Sequence, residues 1–179
     1  MNSRVKPETF TPAVSSTDEA LAYFDELQSM AIDEMLGKWR GSGFATGHPM
    51  DGLLESFDWW GKEFVSAEHV HPLVFNGLGG KTVTLDPLWM PLKYARSSAL
   101  SRHRLTQLMF RALTPVMQTR ESRARLRMLE YRGKVSATMV YDAKPINDVF
   151  RKIDDDNVLG LMDLKGMRKP FFFRLTRHL

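Results

Sequence analysis

From Thr17 onward, Leu21, Phe24, Leu27, Ala31, Ile32 and Met35 recur at three- and four-residue spacing, the apolar stripe of an amphipathic helix reaching about Leu36. Ser15, Ser16 and Thr17 supply hydroxyl caps ahead of it, Asp18 and Glu19 suit its positive end, and Gly37 reads as its stop. The period then falls to two: Trp39 stands among Gly37, Gly41 and Gly43 in a strand whose glycines let another side chain or backbone come close. Met50 to Trp60 reads as a short helix or wide turn with Leu53, Leu54, Phe57 and Trp60 on one side. Lys62 to Phe75 reads as extended segments broken at Pro72, followed by a glycine-rich loop at 76–80 and a strand at 81–85 that Asp86-Pro87 stops.

Helical spacing resumes from Leu92 to Met117, decorated by Arg96, Arg102, Arg104 and Arg111. Two alternating runs, 125–131 and 134–141, flank Arg132-Gly133 and predict a hairpin. A short helix is expected at 145–153, then strands at 158–164 and 171–177 joined around Lys165-Gly166. At least six strands on short connections favour antiparallel pairing, and closure into a barrel removes their exposed edges. The expected fold is therefore mainly β: an antiparallel β-barrel over 15–179 with an amino-terminal helix and a basic helical insertion at about 92–118, preceded by a flexible stretch at 1–14. Strand 158–164 is apolar on both faces, with Val158, Met162 and Leu164 on one and Leu159 and Leu161 on the other. Either something covers the outside or the inside is a ligand cavity.

Composition changes the picture mainly by exclusion. With 179 residues, 43% hydrophobic and 26% charged, the chain is neither disordered nor collagen-like nor a multi-spanning membrane protein. No cysteine is present, so disulfides, thiolate zinc sites and cysteine nucleophiles are ruled out. Residues 1–92 hold 6 Lys/Arg against 13 Asp/Glu, whereas 93–179 hold 19 against 8. That asymmetry suits an anionic membrane surface better than nucleic acid, or else the two halves face each other within one fold. The first ten residues lack the apolar core of a secretory signal and no run approaches about 20 apolar residues, so a cytoplasmic location is expected.

Candidate chemistry is sparse. The glycine series from Gly41 to Gly47 meets His48-Pro49 rather than a helix, which rejects a dinucleotide loop. His69 and His71 share a strand face, and His48 would make a third nitrogen. Pro72 disturbs that geometry, and no metal or other cofactor is expected. Asp142, Asp148 and Asp163 are the candidate catalytic carboxylates, because a carboxylate among apolar residues has a raised pKa and can serve as general acid or base. The plainer roles are bracing the turn at Lys144-Pro145 for Asp142 and Asp148, and pairing with Lys165 or Arg151 for Asp163. No serine or threonine stands in a nucleophile-elbow context.

The runs 37–43, His48-Pro49-x-Asp51-Gly52-Leu53-Leu54 and Trp60-Gly61-Lys62-x-Phe64 resemble the amino-terminal part of the GXWXG-domain family of bacterial proteins. Ala124 to Arg127, Met139 to Lys152, Gly160 to Gly166 and Phe172-Phe173 resemble that family's carboxy-terminal companion domain. The family carries no settled activity. Its opening motif is similar to that of the calycins, including nitrobindin-like haem barrels, which enclose small hydrophobic ligands. The calycin resemblance implies that a last-strand arginine, Arg177 before Arg174, packs on Trp39. By the nitrobindin analogy His178 would be a late-chain haem ligand. Together these readings predict a barrel holding a lipid or acyl compound, lined by Trp39, Trp60, Met139, Tyr141, Met162 and Phe173. The alternatives are an enzyme acting on such a ligand, or a surface-binding protein using Arg96, Arg102, Arg104 and Arg111.

Overall fold

Short connections leave little choice but to pair neighbours in sequence, and nearly every strand of this chain lies antiparallel to the next. The computed structural model describes residues 15–90 and 104–178; the expected flexible segment 1–14, Arg96 and Arg102 lie outside them. Ten strands form one sheet: β1 (Gln28–Ser29), β2 (Gly37–Gly43), β3 (Trp59–Phe64), β4 (Val70–Asn76), β5 (Thr82–Thr84), β6 (Ala124–Tyr131), β7 (Lys134–Tyr141), β8 (Ile146–Lys152), β9 (Asn157–Leu164) and β10 (Phe171–His178). The α-helices among the described residues are α1 (Thr17–Glu26), α2 (Ile32–Met35), α3 (Leu53–Ser56) and α4 (Arg104–Met117).

The last strand returns to the first long one, β10 to β2, from Phe173↔Gly43 to His178↔Lys38. With β4 meeting β6 at Val70↔Ala124, strands β2, β3, β4, β6, β7, β8, β9 and β10 close into a ring, while β1 and β5 attach to β8 and β4. The β6–β7 hairpin turns at Arg132 and Gly133, φ 52° and 76°, the primed geometry that matches strand twist. Arg132 is held in this unusual region by a two-pronged contact to Asp25 of α1, at 2.7 and 2.6 Å.

Two expected helices are corrected. The helix from Thr17 stops at Glu26 instead of running to Leu36: α1 packs Ala20 and Phe24 against the outside of the ring, whereas Met30 and Met35 belong to its interior. One straight helix cannot serve both faces, so the chain bends through β1 and the single turn α2 across the end of the ring. The stretch 145–153 is strand β8, not helix: Ile146, Asp148 and Phe150 point inward while Val149 and Arg151 are buried outside. Because both faces are buried, its period of two is disguised in the sequence. Pro72 does not break β4; it lies where the β3–β4 register shifts, so its missing N–H costs no regular ladder bond.

Leu159, Leu161 and Phe172 are covered from outside by α1, and the opposite faces of the same strands line the interior. The acidic and basic halves also meet each other, through Asp25–Arg132, Glu34–Lys152, Asp58–Arg111, Glu68–Arg127 and Asp86–Arg123.

The Arg177 guanidinium lies 4.3 Å from the Trp39 ring centre and donates to the carbonyls of Glu34 (2.7 Å) and Leu36 (3.2 Å), while the indole N–H reaches Met35 O at 2.8 Å. This cluster plugs one end of the ring. Arg177→Ala is expected to cost about 2–3 kcal/mol, from the lost cation–π contact and two charge-assisted hydrogen bonds. Thermal unfolding and Trp39 fluorescence would check it; no change in either would show that the cluster does not hold the end closed.

Candidate functional site

Strand β3 carries the feature on which the site depends. Regular alternation from Trp59 would point Gly61 and Glu63 inward and Lys62 outward. The register against β4 shifts on both sides of Gly61, whose φ is 148°, and the phase flips. Trp59, Lys62 and Phe64 all end up buried. A side chain at 61 would collide with the Trp39 carbonyl, so glycine is required at the bulge. A side chain at 41 would likewise enter the Trp59 ring, so Gly41 of the Gly-x-Trp-x-Gly run makes the space in which Trp59 lies.

Lys62 Nζ lies 2.8 Å from Asp148 Oδ2, with both side chains almost wholly buried. It also donates to Pro72 O (3.1 Å) and Tyr141 Oη (3.5 Å) and is ringed by Phe173, Trp59 and Tyr141 at 5.0, 5.5 and 5.7 Å from their centres. Burial pushes the Asp148 carboxyl above its ordinary range, outweighing the pull of Lys62 and of the Tyr141 hydroxyl. Burial, with the Asp148 charge adding to it, holds the Tyr141 phenol well above its usual value. Asp148 Oδ1 and Trp59 Nε1 are buried without a hydrogen-bond partner.

These groups form the polar end of a cavity of about 400 Å³, within the range of small-ligand sites. The rest of the wall is mainly apolar, from Leu53, Phe57 and Phe75 on one side to Met162 on the other, with Thr106 and Lys144 as its polar members. Helix α4 lies against it with Met109, Phe110, Leu113 and Met117, its carboxyl end fastened to β5 by Thr119 N–H to Thr84 O and Asp86 N–H to Met117 O. A cavity of this kind can hold an apolar body with one polar group at the buried pair, and Asp148 is placed to exchange a proton there.

Of the six expected lining residues, Tyr141, Met162 and Phe173 are on the cavity wall. Trp39 and Met139 are wholly buried in the ring core, and Trp60 faces outward between Arg40 and His178, so none of these three lines it. Among the carboxylates Asp148 alone faces the cavity. Asp142 is exposed, 3.6 Å from Arg125, and Asp163 lies opposite Asn147 on the outer face. Arg151, one of the two expected partners of Asp163, instead donates to the carbonyls of Tyr131 and Lys134 and lies over Phe24.

His48 accepts from Met50 N–H and packs on Phe171, and burial lowers its pKa, while His69 bonds Ser66 at the surface. No group of three or more metal-ligating side chains occurs among the described residues. His178 stacks edge-on to Trp60 outside the ring. Arg111 is fastened to Asp58 at 2.7 Å and Arg104 is exposed. No described helix is long and apolar enough to cross a membrane.

Lys62 is the residue that sequence reasoning missed. The available signal was Gly61 directly after Trp59-Trp60, with Pro72 on the strand opposite: two residues that often mark a bulge.

Two family profiles match the chain: GXWXG protein over residues 22–80, and a domain of unknown function (DUF4334) over 122–177. No curated protein matches. Among solved structures, a protein from Thermomonospora curvata superposes with a TM-score of 0.68 at 31% identity, covering 93% of this chain and 90% of that one.

Proposed function

Because the chain belongs to the GXWXG family with its carboxy-terminal companion domain, neither of which has an assigned function, we propose from the site itself that it binds a hydrophobic or amphipathic small molecule, a lipid or acyl compound, in the cavity beneath α4. The observation that carries this reading is the cavity's composition: an apolar wall closed at one end by the buried Lys62–Asp148 pair and Tyr141. Purely structural ion pairs are more simply replaced by packed hydrophobic residues, and one facing a void of ligand size points to a polar group received there.

Purified protein extracted with solvent is expected to release a stoichiometric amphiphile detectable by mass spectrometry. Added amphiphiles are expected to raise the melting temperature in a concentration-dependent way, by about 2.7 kcal/mol of stabilisation at a hundredfold excess over Kd. No co-purifying compound together with no thermal shift across a panel of chain lengths would refute the reading.

A further inference from the structure

We infer that the cavity selects a neutral amphiphile bearing a hydroxyl group, and that this hydroxyl bridges the Trp59 indole N–H and the free oxygen of Asp148. The inference rests on the ligand-binding reading above and narrows it. An indole N–H can only donate, and a carboxylate oxygen can only accept. Both atoms are buried and without partners, and both residues line the cavity. The two residues lie at the same end of it, on either side of Lys62, whose Nζ is 2.8 Å from Asp148 Oδ2 and 5.5 Å from the centre of the Trp59 ring. Leaving two such groups unpaired in an apolar enclosure is costly, and one hydroxyl, accepting from Trp59 and donating to Asp148, satisfies both.

Other head groups fit worse. A carboxylate satisfies Trp59 but sets a second negative charge beside Asp148, and Lys62 is already directed at Asp148 Oδ2, Pro72 O and Tyr141 Oη. The pair has no net charge to offer an anion, and the cavity's other cation, Lys144, is engaged by the carbonyls of Leu88 and Met90. An amine pairs with Asp148 but leaves the indole N–H unmet and places a second cation near Lys62. A plain hydrocarbon satisfies neither atom.

The test compares dodecanol, dodecanoate and dodecane as probes of the full chain, by calorimetric titration and thermal shift. Dodecanol is expected to bind about tenfold or more tighter than either of the others. Trp59→Phe is expected to shrink the dodecanol-over-dodecane ratio by about fivefold, since the variant keeps an aromatic wall but has no N–H. In the unaltered protein, dodecanol but not dodecane is expected to shift the Trp59 indole proton resonance, a readout that does not depend on the variant folding. Equal binding of dodecanol and dodecane, the outcome if solvent satisfies both atoms, would overturn the hydroxyl inference and leave the ligand site standing. Tighter binding of dodecanoate would do the same. Failure of all three probes to bind would remove the ligand-site reading and this inference with it.

Discussion

Lys62→Met is expected to lose about 3–5 kcal/mol of stability at neutral pH, because it leaves the Asp148 carboxylate buried without its counter-charge. The loss should depend on pH with a definite sign. In the folded protein burial already raises the Asp148 carboxyl above its unfolded range, with Lys62 the first of the forces opposing that rise. A group whose folded pKa is raised contributes stability that is present below the unfolded value and lost as pH rises through the folded one. Without Lys62 the folded value rises further and the window widens upward. The deficit of the variant is therefore expected to be small where Asp148 is protonated and to grow toward neutral pH. Urea unfolding of both proteins across that range checks it, and a deficit independent of pH would show that Asp148 is not the group left stranded. Lys62→Met combined with Asp148→Leu removes both charges and should recover most of the loss, as apolar replacement of buried ion pairs commonly does.

Gly41→Ala is expected to cost about 2–3 kcal/mol, since its methyl enters the Trp59 ring and the indole must move into the cavity. Phenylalanine lacks the outer ring that the methyl meets, so Trp59→Phe should relieve most of that cost, giving a coupling of about 1–2 kcal/mol in a double-mutant cycle. Gly61→Ala is the control. There the new methyl meets the backbone carbonyl of Trp39, at a φ of 148° that side chains rarely adopt, and no change at Trp59 can make room. Additive effects of Gly41→Ala and Trp59→Phe would show that the small residue at 41 serves something other than the indole. The Gly-x-Trp-x-Gly run thus divides its labour: Trp39 is packed beneath Arg177, and Gly41 creates the niche for Trp59 on the cavity wall.

Local patterns carried much of the architecture. The alternation around Arg132-Gly133 and the paired runs at 158–164 and 171–177 were readable because their turns are tight and their residues pair with near neighbours. Asp148 was legible as a carboxylate set among apolar residues, although the stretch holding it read as helix, because burial on both faces disguises a strand. Arg177 over Trp39 was reached only through the calycin resemblance, since nothing local ties residues so far apart in the chain.

What the sequence by itself determined is therefore the mainly β class, the antiparallel order of its later strands, and three of the cavity's side chains, Tyr141, Met162 and Phe173: properties set by periods of two and by turn residues. What only the tertiary structure decided is which way the chain faces at points of irregularity, and what meets there. The bulge at Gly61 turns Lys62 inward, where a regular strand would have left it in water, and closure of the ring brings β3 and β8 together so that Lys62 finds Asp148. A one-residue slip reverses every side chain beyond it, so a buried pair built on such a slip is invisible to periodicity and appears only when both strands are in place.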